Sequence, residues 1–204
     1  MKRSFRWDNT AAADTISNVV GFGITPLAML GLQAAIDLAN RSRLEDWAAD
    51  ELVLIESVVV AMDVNQLVKF IAGRQRPFIH DPGPGDPGPP AHPADNNVSF
   101  FSGHTTSVFA FAVSAGTIAT LRGYRAAPVI WASGITLAAF TGYLRIAADR
   151  HYFTDVLTGA LFGSAVGVAV PFLHRPCPRG GACVNGFTAA PVKDGAGLGL
   201  SGVF

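Results

Sequence analysis

The chain has 204 residues, of which 50% are hydrophobic and 15% charged, with Lys+Arg 15 balanced against Asp+Glu 15. Soluble domains carry roughly 25% charged residues, so this balance, with a mean hydropathy of +0.34, leans toward a membrane protein. It excludes a disordered tail, a charged coiled coil and a nucleic-acid binder that relies on an overall basic field.

Five apolar runs approach the ~20 helical residues needed to cross a bilayer core of ~30 Å. They lie at Thr15 to Asn40, Ala48 to Ile71, His104 to Leu121, Ala126 to Ala147 and Thr154 to Leu173. The expected architecture is all-α: a bundle of about five long apolar helices, transmembrane by length and composition, in one domain spanning 1–175. Before the first run, Lys2, Arg3 and Arg6 precede an apolar stretch too long for a cleavable signal peptide. The second run carries Glu51, Glu56 and Asp63, and the first carries Asp37. An acid at mid-bilayer costs ~2.5–3.5 kcal/mol on insertion scales. Either these carboxylates face a bundle interior, or the bundle is soluble and they lie on solvated faces.

Between the second and third runs, DPGPGDPGPPAHP over Asp81 to Pro93 is a loop, since proline removes donors and glycine adds backbone freedom. In the fifth run, Gly159, Gly163 and Gly167 fall at four-residue spacing and line one helical face, which suits close helix contact. Residues 176–204 are expected to form an irregular tail. GLGLSGVF at its end alternates weakly, like one short strand. Cys177 and Cys183 are too few for a disulfide framework and match no complete zinc set.

Three motifs carry chemistry. Six residues separate Lys69 from Arg76 at the end of the second run, where Pro77 marks a helix end. Two cations at such a junction suit a phosphate-like anion, with Arg supplying a planar fork of donors; basic residues also flank membrane helices simply to reach the interface. Ser102-Gly103-His104 opens the third run. A helix start offers free N–H groups and a positive dipole end to an anion, while an ordinary N-cap beside an exposed histidine is the plainer account. Arg145, His151 and Asp155 join the fourth run to the fifth. Asp155, one turn beyond His151, can accept from one ring nitrogen and leave the other as a nucleophile; the plainer account is an i,i+4 surface pair worth a few tenths of a kcal/mol. With consecutive helices antiparallel, all three motifs fall at one end of the bundle.

In these residues the sequence resembles the type 2 phosphatidic acid phosphatase family, whose pattern is K-x6-R-P, then P-S-G-H, then S-R-x5-H-x3-D. Lys69, Arg76, Pro77, Ser102, Gly103, His104, Arg145, His151 and Asp155 match it, while Phe101 replaces the family's Pro and Leu144 its Ser. Membrane members usually have six helices against the five counted here, so the missing one would be the first. The resemblance implies metal-independent phosphoryl transfer with no cofactor. His151 would attack phosphorus, Asp155 would orient it, and His104 would protonate the leaving oxygen; Lys69, Arg76, Ser102, Gly103 and Arg145 would hold the phosphoryl oxygens. The expected substrate is a phosphorylated lipid such as phosphatidic acid or a polyprenyl pyrophosphate, met in the membrane, with no nucleic acid involved. Rival expectations are a vanadate-dependent haloperoxidase, whose anion site is similar, a soluble acid phosphatase, and a head-group binder without turnover. Arg41, Arg43, Arg122, Arg125, Arg175 and Arg179 would collect on the far face, so the positive-inside rule puts the site at the periplasm or cell exterior and the cysteine tail in the cytoplasm. Lys2, Arg3 and Arg6 oppose that orientation.

Overall fold

A computed structural model describes residues 5–80, 93–174, 183–192 and 195–203. The first long helix consists of α1 (Thr10–Val19), a π-turn (Val20–Ile24) and α2 (Thr25–Ala39). The π-turn has a local cause. Pro26 lacks an N–H for the carbonyl four residues back, and wider hydrogen-bond spacing just before it absorbs the misfit. Then come α3 (Leu44–Ala72), a single turn α4 (Pro77–His80), a short 3-10 turn (Pro93–Asn97), and α5 (Gly103–Leu121), α6 (Ala127–Ala147) and α7 (Phe153–His174).

The architecture is the expected helical bundle, with its five long helices close to the five apolar runs. The first two begin earlier than hydropathy suggests, at Thr10 and Leu44. Polar first turns hide these starts: Asp14 points at an arginine inside the bundle, and Glu45 and Asp46 favour the positive end of α3. Most of the Asp81 to Pro93 loop lies outside the described residues, as does Cys177. The tail read as irregular carries instead a two-stranded antiparallel ribbon, β1 (Cys183–Val192) with β2 (Gly195–Val203). Only β2 alternates in sequence; Gly and Ala dilute the strand signal of its partner.

α5 is the axis of the bundle, and most of its side chains are buried. Apart from His104 it carries only apolar, small and hydroxyl side chains, as suits a helix packed on several sides. α7 approaches it along Gly159, Gly163 and Gly167. A Cβ at these positions would lie 2.8 Å from the Ser102 carbonyl oxygen, 2.4 Å from that of Thr106 and 3.0 Å from that of Ala110. The glycine spacing therefore sets the distance between the two helices that carry the second and third motifs.

Three helical stretches, Thr10–Ala39, Ala127–Ala147 and Phe153–His174, are long and apolar enough to cross a membrane. Their outer faces expose large apolar side chains such as Leu27 (74%) and Leu161 (65%), which marks an integral membrane bundle. The carboxylates divide. Asp37 is buried and accepts from Tyr124, Gln33 and Ser42. Glu56 stays half exposed against His174 at 3.3 Å, and Asp63 lies on the outer face of α3. The interior expectation thus fails for the acids of α3 that face away from α5.

Candidate active site

Local geometry brings the three motifs to one end. α3 stops at Gly73, which takes a left-handed φ of 53° and donates to the Lys69 carbonyl at 3.1 Å; glycine adopts that cap at no steric cost. The chain leaves this turn through Arg74 and Arg76. Arg76 is fastened by its N–H to the Asn96 carbonyl at 2.9 Å and by Nε to the Asp95 carbonyl at 2.8 Å. Burial, then Arg150, pulls the Arg76 guanidinium below its ordinary pKa, a shift that leaves it charged.

Ser102 is the N-cap of α5, and its hydroxyl accepts from the Thr105 N–H (3.4 Å) and hydroxyl (2.9 Å). Its own N–H donates to the Asp155 carbonyl at 3.1 Å, which ties the start of α5 to the start of α7. The first-turn N–H groups of Gly103 and His104 find no acceptor among the described residues. Lys69 Nζ reaches this same turn: a Cβ at Gly103 would lie 3.1 Å from it.

His151 follows α6 by way of Asp149, whose φ of 55° reverses the chain. Its ring is 3% exposed. The expected partner stands off, because Nδ1 is 3.8 Å from Asp155 Oδ2 but 2.8 Å from the Ser99 carbonyl. A carbonyl only accepts, so Nδ1 carries the hydrogen and Nε2 keeps its lone pair. Asp155 acts one step back, accepting from the Ser99 hydroxyl at 2.6 Å, the Tyr152 N–H at 3.0 Å and Arg74 at 2.6 Å. Burial first, and then the charges of Arg145, Arg76 and Lys69, hold the His151 pKa well below 6.5, while the Ser99 bond opposes them. The ring is therefore neutral near pH 7.

Arg145 is 3% exposed, and its terminal nitrogen donates to Asp14 at 2.5 Å and Ser17 at 2.7 Å. Asp14 also takes Arg150 at 2.9 Å. Among the described residues, the buried Arg145 Nε has no acceptor. Across from it, His104 Nε2 meets Asn18 Oδ1 at 2.6 Å. The titratable groups facing the His104 ring are Arg145, His151, Lys69 and Arg76.

The eight expected site residues thus surround one end of the bundle. Gly103 meets Lys69 directly, and Ser102 meets Asp155 through the backbone, whereas Arg145, Arg76 and His104 are held by partners that the motifs do not contain. Sequence reasoning missed Arg74, Ser99, Asp14, Ser17 and Asn18. Arg74 alone had a signal, two places before Arg76; the others are small polar residues that no spacing distinguishes.

Fold and site together define a membrane helical bundle with a cluster of cations around a buried neutral histidine. The PAP2 superfamily matches residues 50–177, more than half of the chain, and the protein belongs to that superfamily. A lipid A 1-phosphatase of Porphyromonas gingivalis is 42% identical over 69 residues, 34% of this chain. The match spans 15% of that relative's length. The crystal structure of a transmembrane PAP2-type phosphatidylglycerolphosphate phosphatase from Bacillus subtilis has the same fold, with a TM-score of 0.56 at 18% identity over 79% of this chain and 74% of that one.

Proposed function

We propose that the protein is a metal-independent phosphatase of membrane lipid phosphates, working through a phosphohistidine. The observation that carries this reading is the His151 ring: neutral, buried, with Nδ1 bonded to Ser99 and Nε2 left as a nucleophile among Lys69, Arg76 and Arg145. A phosphate monoester brings about −1.5 to −2 charge, which those cations offset. The bare Nε of Arg145 and the free N–H groups at the start of α5 supply donors for its oxygens.

Nε2 of His151 forms the bond to phosphorus as the bond to the ester oxygen breaks, and protonated His104 gives that oxygen its proton. Water then attacks the phosphohistidine, passing a proton to His104, and inorganic phosphate leaves. Asp155, through the Ser99 hydroxyl and Arg74, fixes the loop that presents the Ser99 carbonyl. The roles of a substrate clamp fall to Lys69, Arg76, Arg145 and the Ser102-Gly103 turn. The lipid A and phosphatidylglycerolphosphate phosphatase relatives favour a lipid substrate, with phosphatidic acid or a polyprenyl pyrophosphate as members of that class. We place the site at the periplasmic or outer face, because Arg41, Arg43, Arg122 and Arg125 gather at the far end. Arg6, paired with Asp149 at 3.4 Å, remains the opposing signal at the site end.

The test is phosphate release from phosphatidic acid, a lysolipid and polyprenyl phosphates in detergent, with chelator present. The reading expects turnover that survives chelation and vanishes in His151→Ala. Activity retained in that variant, or restored only by added metal, contradicts it.

A further inference from the structure

The first helix lies outside the segment matched by the superfamily, yet one face of it lines the site. Asp14, Ser17, Asn18 and Phe22 recur at the three- and four-residue spacing that aligns a helical face. Asp14 and Ser17 hold Arg145. Asn18 and Phe22 hold His104: Asn18 Oδ1 is 2.6 Å from Nε2, and the Phe22 ring lies against the imidazole at 4.2 Å between centroids. Gly21 permits the approach, since a Cβ there would lie 3.2 Å from Thr141 Cγ2 and 3.4 Å from His104 Cδ2. The π-turn begins one residue earlier, at Val20, and such bulges recur at functional sites.

An acid–base histidine must release and regain its proton at one fixed atom. The Asn18 carbonyl oxygen only accepts, so Nε2 keeps its hydrogen in the neutral ring as well as in the cation. Nδ1 is then the atom whose proton changes hands. We propose that Asn18 is a positioning residue of the active site, holding the His104 ring with Nε2 protonated so that Nδ1 serves the leaving oxygen; this rests on the phosphatase reading above. In the first step the Nδ1 proton passes to the ester oxygen as its bond to phosphorus breaks, leaving a neutral ring protonated on Nε2. In the second, Nδ1 takes a proton from the water that attacks phosphohistidine.

Leaving-group dependence separates this role from a structural one. The full chain in detergent is assayed on dodecyl phosphate, whose alkoxide departs only with a proton, and on para-nitrophenyl phosphate, whose phenolate departs without one. Asn18→Leu is expected to lower kcat/KM, which covers only the steps up to departure of the leaving group, on dodecyl phosphate by about 100-fold, at the lower end of general-acid contributions, and on para-nitrophenyl phosphate by less than about threefold. Asn18→Asp, which keeps an acceptor at the same atom, is expected to restore most of the dodecyl phosphate rate. Turnover of para-nitrophenyl phosphate by Asn18→Leu also reports that the variant is folded. Equal losses on the two substrates, no loss on either, or an Asn18→Asp variant as slow as Asn18→Leu would overturn the role of Asn18 while leaving the phosphatase reading intact. A wild-type chain that hydrolyses neither substrate would remove the phosphatase reading, and this proposal with it.

Discussion

At the far end of the bundle Arg122 donates to Asp50 at 2.8 and 2.9 Å and to Asp46 at 3.3 Å, while Asp37 accepts from Tyr124 at 2.5 Å, Gln33 at 3.1 Å and Ser42 at 3.2 Å. At the His151 end the charges are left unequal. Arg145 and Arg150 share the single carboxylate of Asp14, and among the described residues Arg145 Nε has no acceptor and the Lys69 ammonium has no hydrogen-bond or ion-pair partner. Both ends bury charge, which is costly unless it is paired. Charge matched within the chain fastens helices together, and surplus of one sign at a helix start waits for a ligand of the other. The two ends therefore answer to different experiments: the far end to stability, the near end to catalysis.

The largest expected effect is at the nucleophile. His151→Ala should lower phosphate release by roughly 10³-fold or more, as removal of an activated nucleophile does elsewhere, with the folded fraction unchanged by size exclusion in detergent. Next comes the charge surplus. Lys69→Met should lower kcat/KM by roughly 10–100-fold, the scale of one lost oxyanion donor, and the loss should be larger for a pyrophosphate than for a monoester. The far end supplies the contrast. Arg122→Met strands the Asp50 carboxylate, and should cost about 1–3 kcal/mol in unfolding free energy, a range discounted for partial exposure, while the turnover of folded molecules stays at the wild-type value. A matching cost is expected from Gly163→Ala, whose new methyl would meet the Thr106 carbonyl at 2.4 Å; overpacking of this kind costs about 1–3 kcal/mol. If the Arg122 variant lost activity out of proportion to its stability, the division between the two ends would fail.

A pH profile refines the near end with a smaller effect. Because burial and three cations hold the His151 pKa below 6.5, the ring stays unprotonated as pH falls through that value. It gains a proton, and loses its nucleophilic lone pair, only below its own lowered pKa. The acid limb of kcat/KM should therefore lie below pH 6.5, and Arg145→Ala, which removes the largest of the opposing charges, should move it upward.

Much of this site is legible in the sequence because its parts lie at helix ends. Lys69 and Arg76 straddle the cap at Gly73, Ser102 to His104 open α5, and Arg145 to Asp155 cross a tight connection, so antiparallel topology alone gathers them. The glycine stripe of α7 was equally readable, since a four-residue spacing of residues without side chains has few other uses. What pattern could not supply is the layer behind the motifs. Ser99 reaches His151 through its backbone carbonyl, an atom every residue carries, and Asn18 reaches His104 from a helix that apolar composition marks only as membrane-spanning. The acids of α3 misled for the opposite reason: cost in lipid argues that Glu56 and Asp63 should turn inward, but Ser57, Ala61 and Asn65 already occupy the face against α5.

The central claim is that Nε2 of His151 bonds to phosphorus. Rapid-quench labelling with radioactive phosphate monoester in chelator, followed by peptide mapping, tests it most directly. The account predicts an acid-labile, alkali-stable label on the peptide bearing His151, formed before phosphate release and absent from His151→Ala. Turnover without such a label, or a label on any other residue, would contradict it.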